Sequence, residues 1–478
     1  LMRRRVWGLA IVSYALLLAL SIFTRMKMPA GEYASDVGRL MEIRVHKVVH
    51  IEQTDDIVDA LAEAKRKKLP ISVSGARHSQ GGQTLYENAI VLDMKGYDRI
   101  LHIDEDRKLI RVQSGATWEK IQKAIQPLGL AMRIMQSQNL FTVGGSMSVN
   151  AHGRDLGEGP LIDSVESFRL LLASGEKLQI SRTENAELFP LVIGGYGLFG
   201  IILDADLRLT DDAVYKKHVV PLDYQAFPEY FREQVLRSPD SVMAIARMSV
   251  APDSFLKDMF VTAYLKTDEA LTEDLAELND ERFVGITKFA FGLSRKFDWG
   301  KGAVWRLQKK GYLVEEEERI SRNNAMRPAA SFMEYADTQK TDLLQEYFIP
   351  VDRFLPFVDG LRRIVREDEL NLLNVTIRYV PKNKEAMLSY AGHDSYAFVL
   401  LFNTKRTAPA LQRMELSTRR LIDLALEQGG TYYLPYQLYG TTRQIKEAYP
   451  NIDAFYVAKR VWDPGLLFMN ELYARYGR

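Results

Sequence analysis

The chain contains no cysteine in its 478 residues. That absence removes disulfides, thiolate nucleophiles, iron–sulfur ligation and cysteinyl cofactor bonds, and it leaves the compartment open. A charge excess is also lacking, because 63 basic and 62 acidic side chains leave a net charge of +1. No general drive toward nucleic acid results, no arginine–aromatic array offers a platform for bases, and no nucleic-acid partner is expected. Histidine is sparse and scattered, at His46, His50, His78, His102, His152, His218 and His393. His46 and His50 share the spacing of helical metal ligands, but Val45, Val48 and Val49 favour a strand, on which those positions lie far apart; no metal site is expected.

One long uncharged run is present. Val6–Thr24 spans nineteen residues between Arg3-Arg4-Arg5 and the pair Arg25 and Lys27. Its length just spans a bilayer, so a single-pass N-terminal membrane anchor is expected. A cleavable signal peptide and a buried helix are the rival readings; no convincing Ala-x-Ala site follows the run. Three basic residues against two leave the side of the membrane open.

The length suits two domains, and a hydrophobic content of 47% is ordinary for a globular chain. Its organising stretch is Ile71-Ser-Val-Ser-Gly-Ala-Arg-His-Ser-Gln-Gly-Gly-Gln83, a β-branched run breaking into glycines after the helical segment Asp56–Lys68. A strand feeding such a turn exposes N–H groups that can wrap a phosphate. Thr142-Val-Gly-Gly-Ser-Met-Ser-Val-Asn-Ala-His-Gly-Arg154 and Gly194-Gly-Tyr-Gly-Leu-Phe-Gly200 repeat the pattern, the latter before the strand Ile201–Leu209. The Rossmann glycine fingerprint between strand and helix has no counterpart.

In this order, the Gly75…His78-Ser79 loop, the Thr142–Gly145 turn running to Asn150-Ala-His-Gly153, and the Gly197…Gly200-Ile-Ile turn resemble the flavin-binding domain of the vanillyl-alcohol oxidase / p-cresol methylhydroxylase (PCMH) type. The resemblance implies an α+β, two-domain PCMH-type FAD-binding fold with an inserted cap domain, to which the reading of the run Val6–Thr24 adds an N-terminal transmembrane helix. The expected divisions are an anchor with flanks over 1–28, a linker over 29–44, the FAD domain over 45–212, a cap over 213–444, and a return to the FAD domain over 445–478. Within the cap, amphipathic segments at Tyr224–Leu236, Glu269–Glu277, Phe354–Glu367 and Leu411–Glu427 alternate with strands at Val242–Ser249, Met259–Tyr264, Asn371–Val380 and Tyr396–Asn403, which suits helices backing an antiparallel sheet. Phe291–Ala330 lacks clear periodicity and reads as a mobile or membrane-facing loop.

The resemblance implies FAD as cofactor, held by Ser74, Gly75, Ala76, Arg77, His78, Ser79, Gly82, Thr142, Gly144, Gly145, Ser146, Ser148, Asn150, Gly153, Gly197, Gly200 and Ile201. His78 matches a histidine that bonds flavin covalently in several relatives; its other reading is a hydrogen-bonding turn residue. Arg77 is suited to offset pyrophosphate charge. His152 either relays a proton or pins its turn. On a strand, Thr376 and Arg378 share one face, where Arg378 either stabilises negative charge at the flavin or serves as a surface ion-pair partner. The chain departs from many relatives in having no lysine before Lys446 late in the cap; Tyr432-Tyr-Leu-Pro-Tyr-Gln-Leu-Tyr439 stands there, which gives Tyr436 or Tyr439 a hydrogen-bonding role.

The implied reaction is hydride removal from a carbon bearing a hydroxyl, on a sugar, alditol, aldonolactone or lipid-linked sugar, with oxygen or a quinone reoxidising the flavin. Reduction of a lipid or sterol carbon–carbon double bond, and a non-catalytic flavin-binding role, are the alternatives.

Overall fold

The computed structural model describes residues 32–280, 284–327 and 337–477. Near its start, Lys47–His50, Ile90–Asp93 and Ile71–Ser74 form a parallel sheet in that spatial order. The helix Thr54–Lys67 makes the crossover, with Ile57, Ala60, Leu61 and Ala64 buried as one stripe. Asp56 closes its N-terminus in a capping box with Gln53, and Lys65, Arg66 and Lys67 complement its C-terminal dipole. The chain therefore leaves Ile71–Ser74 at the sheet's edge and enters the Gly75–Ser79 loop directly.

A second, antiparallel sheet orders Lys177–Ser181, Val165–Leu171, Ile201–Asp211, Leu109–Gln113 and Ile100–Asp104, with Leu130–Met132 also paired to Ile201–Asp211. The third sheet has eight strands among the described residues: Arg319–Ser321, Val214–Asp223, Asp258–Lys266, Ser241–Met248, Leu372–Val380, Ser395–Lys405, Lys340–Pro350 and Thr431–Tyr432. The helix Phe354–Glu367 backs one face of it, Phe357 meeting Phe398 at 4.7 Å between ring centroids. The other face is turned to the first two sheets, and the cavity described below lies between them.

The C-terminal segment returns to the parallel sheet. Ile71 N–H donates to Leu467 O at 2.6 Å and Met469 N–H donates to Ile71 O at 2.9 Å. This junction depends on a buried ion pair, Lys459–Asp463, one turn apart on the chain and at most 1% exposed. The Asp463 carboxylate also accepts from Leu467 N–H at 2.9 Å and Phe468 N–H at 2.8 Å.

Three sequence expectations are corrected. No helix among the described residues is long and apolar enough to cross a membrane, so the transmembrane helix, the membrane as partner and the single-pass membrane location are withdrawn; Val6–Thr24, on which they were placed, lies outside the described residues. The expected loop over Phe291–Ala330 contains the end of one helix, Val284–Lys296, and all of another, Asp298–Val314. Gly292, Gly300, Gly302 and Gly311 dilute the helical pattern in the sequence, whereas Phe291 and Trp305 supply buried anchors. Finally, the expected helical piece at Glu269–Glu277 shrinks to Glu273–Ala276.

Removing one partner of a buried pair leaves the other charge unpaired, which costs about 3–5 kcal/mol. Asp463→Ala should accordingly lower the unfolding free energy by an amount of that order, read as a lower chemical-denaturation midpoint; an unchanged midpoint would show that Lys459 finds solvent or another acceptor.

Candidate active site

Between the glycine loops and the third sheet lies a cavity of about 360 Å³. Its loop-side wall comes from three stretches. The first is Ser74, Gly75, Ala76, Arg77, His78 and Ser79; the second runs through Thr142, Gly144, Gly145, Ser146 and Ser148 to His152; the third is Gly197 and Gly200. The opposite wall obeys the strand period of two: Ile245 and Arg247, then Asn374, Thr376 and Arg378, then Val399 and Leu401, then Asp342, Leu344 and Glu346. Tyr433 and Tyr436 complete it. Arg378 thus faces the cavity and not the outer surface.

The loops are held tightly. A Cβ on Gly75 would stand 2.0 Å from Thr142 Oγ1, so only glycine lets these two loops meet. Thr142 starts a short helix, Val143–Ser148, where a turn was expected, because its side chain caps Gly145 N–H. Gly144 N–H is taken by Ser114 O, and the hydroxyls of Ser146 and Ser148 donate to Thr142 O and Gly144 O. Ala76 and Ser79, by contrast, donate their amide N–H to no acceptor among the described residues. Arg77 is engaged beside its own loop, with Ser74 Oγ at 3.3 Å and Asp93 Oδ2 at 3.4 Å. The His78 ring packs against Phe141 at 4.4 Å.

Five expected residues do not line the cavity. Gly82 donates its N–H to Asp36 Oδ2 at 3.2 Å, a carboxyl that burial pushes up to about 6 against the pull of backbone N–H groups. Asn150 accepts from Ile162 N–H at 3.0 Å, Gly153 backs onto Met135, and Ile201 is core. Tyr439 lies outside as well, its carbonyl accepting from Arg419.

Glu346 was not among the expected residues, and it centres the polar cluster of the site. It is 4% exposed and accepts from His152 Nε2 at 2.7 Å. Tyr436 donates its hydroxyl to the other carboxylate oxygen at 3.3 Å. Burial alone would raise the Glu346 carboxyl, but His152, Arg378 and Tyr436 together hold it below the usual glutamate range. Burial pushes Tyr436 well above the usual tyrosine range, so its hydroxyl keeps its proton. Burial likewise lowers the Arg378 guanidinium, with Glu346 opposing the shift; an arginine nevertheless keeps its charge.

Buried polar groups in folded proteins are normally satisfied. Here Thr84 Oγ1, Ser114 Oγ, Gln136 Oε1, Arg154 Nε, Arg247 Nε and Arg378 Nε have no partner among the described residues, and all six residues line this cavity. The unpaired groups of Thr84, Ser114 and Gln136, set beside apolar walls and an open glycine loop, fit a large polar cofactor with a flat apolar ring system. No group of three or more metal-ligating side chains occurs among the described residues.

Residues 45–181 match the family model of the FAD binding domain. The chain is 23% identical to the decaprenylphosphoryl-β-D-ribose oxidase of Mycolicibacterium smegmatis, over 94% of this chain and 99% of that protein. It is 30% identical to cytokinin dehydrogenase 8 of Oryza sativa subsp. indica and 27% identical to the mitochondrial L-galactono-1,4-lactone dehydrogenase of Arabidopsis thaliana. Those two matches cover 44% and 35% of this chain, and they span only 42% and 27% of the relatives' own lengths.

Because the loops of Gly75 and Thr142 touch, Gly75→Ala should separate them and deplete the purified protein of FAD. Flavin absorbance per polypeptide measures this; wild-type occupancy in the variant would mean that the contact does not shape the cofactor site.

Proposed function

Since the chain is a PCMH-type FAD-binding oxidoreductase related to sugar and lactone oxidases and to decaprenylphosphoryl-ribose oxidase, we propose that it oxidises a CH–OH group of a sugar, alditol, aldonolactone or lipid-linked sugar. The observation that carries this reading is the buried carboxylate of Glu346, which lines the cavity, accepts from His152 and is linked through Tyr436 to the cavity interior. FAD held here supplies a two-electron hydride acceptor. As hydride leaves the donor carbon, the hydroxyl proton passes to the Tyr436 oxygen while the Tyr436 proton moves to Glu346, and a carbonyl product remains. Arg378 opposes the negative charge that develops on the donor oxygen. His152 orients Glu346 and keeps it ionised.

Support for the cofactor role of Ser74–Ser79 comes from their place in the cavity wall. His78 is proposed as the covalent attachment point. Wild-type protein denatured in acid should then retain a yellow chromophore that His78→Ala releases; quantitative recovery of free FAD from wild type would remove the covalent bond and leave the rest of the proposal intact.

Glu346→Gln keeps the shape of the site and removes the proton acceptor. General-base contributions are typically 10²–10⁴-fold, so anaerobic reduction of the bound flavin by a hydroxylated donor should slow by about that factor with FAD content unchanged. A wild-type rate in the variant would reject Glu346 as the base. A flavin reduced only by added reduced nicotinamide cofactor, and by no hydroxylated donor, would favour the reduction of a carbon–carbon double bond instead.

A further inference from the structure

Two arginines in the cavity wall take no part in the proton path. Arg154 is 4% exposed; its Nη1 donates to the Tyr264 hydroxyl and its Nη2 to Ser137 Oγ, both at 3.3 Å. Arg247 donates from Nη1 to Asn374 Oδ1 at 2.7 Å. These contacts fix both guanidinium planes through neutral partners and leave both Nε–H groups buried and without a partner among the described residues.

The segment carrying Arg154 is joined to the strand carrying Arg247: Ala244 N–H donates to Arg154 O at 3.1 Å, and Asp155 bridges Met243. Arg247 in turn lies opposite Thr376, two residues from Arg378. Both arginines are near enough to Arg378 to disfavour its charge.

The surrounding carboxylates make their ion pairs with other residues, although Asp155 keeps its Oδ2 without a partner among the described residues and feels the charge of Arg154. Asp155 pairs with Arg322 at 2.7 Å, Asp342 with Arg295 at 2.6 Å and Glu346 with His152 at 2.7 Å. Among the described residues no acidic side chain forms an ion pair with Arg154 or Arg247. Buried cations without a counter-ion are costly, and two fixed guanidinium forks are suited to an oxyanion.

We infer that Arg154 and Arg247 form an oxyanion subsite that takes a phosphate or carboxylate group carried by the hydroxylated donor. The inference rests on the reading of this cavity as the donor site, and it makes the preferred donor an anionic polyol or sugar. The anion is held between the segment carrying Arg154 and the strand carrying Arg247, while the reacting hydroxyl lies toward Tyr436.

Sorbitol, sorbitol 6-phosphate and gluconate test it, because they share a polyol chain and differ at one end. With the FAD-loaded enzyme, anaerobic flavin reduction should show a lower KM for at least one anionic donor than for sorbitol. A preference for sorbitol 6-phosphate identifies phosphate as the group; a preference for gluconate identifies carboxylate. Arg154→Ala and Arg247→Ala should each raise the anionic donor's KM by about 10- to 100-fold, as expected for a lost charge-assisted contact. The KM for sorbitol and the FAD content should stay unchanged, and Arg247→Lys should recover part of the loss. Equal KM values for charged and neutral donors would overturn the inference, as would variants that lose FAD in step with activity, since the arginines would then serve the cofactor. If none of the three donors reduces the flavin, the oxidation reading is what suffers, and the subsite is judged by calorimetry with inorganic phosphate. Binding to wild type that weakens about tenfold in either variant supports it; binding that is absent, or equal in the variants, rejects it.

Discussion

The 2.7 Å contact from His152 Nε2 to Glu346 Oε1 joins the two halves of the site. His152 belongs to the segment that follows the Thr142 helix, whereas Glu346 lies in the middle of the strand Lys340–Pro350 in the third sheet. Both side chains are 4% exposed, so the contact is shielded from bulk water. Desolvation of a buried carboxylate costs several kcal/mol unless its oxygens are well paired. Tyr436 supplies one such partner, and Arg378 supplies a compensating field. The contact therefore fixes the position of the third sheet over the glycine loops and, with it, the volume left for cofactor and donor.

Around this pair the cavity is prepared and not self-satisfied. Unpaired donors on Arg154, Arg247 and Arg378 remain inside an otherwise well-packed wall. Each is an energetic liability in the empty protein and a binding contribution once a polar ligand arrives. Strands carry Arg247 and Arg378, and apolar Ile245, Val399 and Leu401 on the same wall leave flat surface between the charges. Preorganisation of this kind lowers the ordering cost of binding.

Much of the loop-side wall was legible in the sequence, since glycine with small hydroxyl residues after a β-branched run has a specific backbone cause. The strand Ile71–Ser74 lies where its pattern put it, and the helix Phe354–Glu367 shows its apolar stripe directly. Strand periodicity put Arg378 on one face with Thr376, but whether that face met the cavity or the outer surface was open until the fold turned it inward. Glu346 gave no such signal: a glutamate between Gln345 and Tyr347 resembles a solvated position, and only the fold sets His152 beside it, 194 residues away in the chain. Tyr436 and Tyr439 were indistinguishable by spacing, and the turn through Pro435 and Gln437 sends one inward and the other out. Glycines concealed the helices Val284–Lys296 and Asp298–Val314 for a related reason, because local propensity opposed a packing that tertiary contacts impose. The membrane anchor was read from length and flanking charge alone, and no described helix supports it.

If the His152–Glu346 contact governs the chemistry, it must set the pH at which the site accepts a proton. The most direct measurement is the pH dependence of anaerobic flavin reduction by a hydroxylated donor, in wild type and in His152→Gln. The acid limb in wild type should lie below the ordinary glutamate range, because Glu346 stays ionised there, and activity should be lost only as pH falls through its depressed pKa. Without the histidine, burial is less opposed, and the limb should move to higher pH. Superimposable limbs in the two proteins would contradict the account.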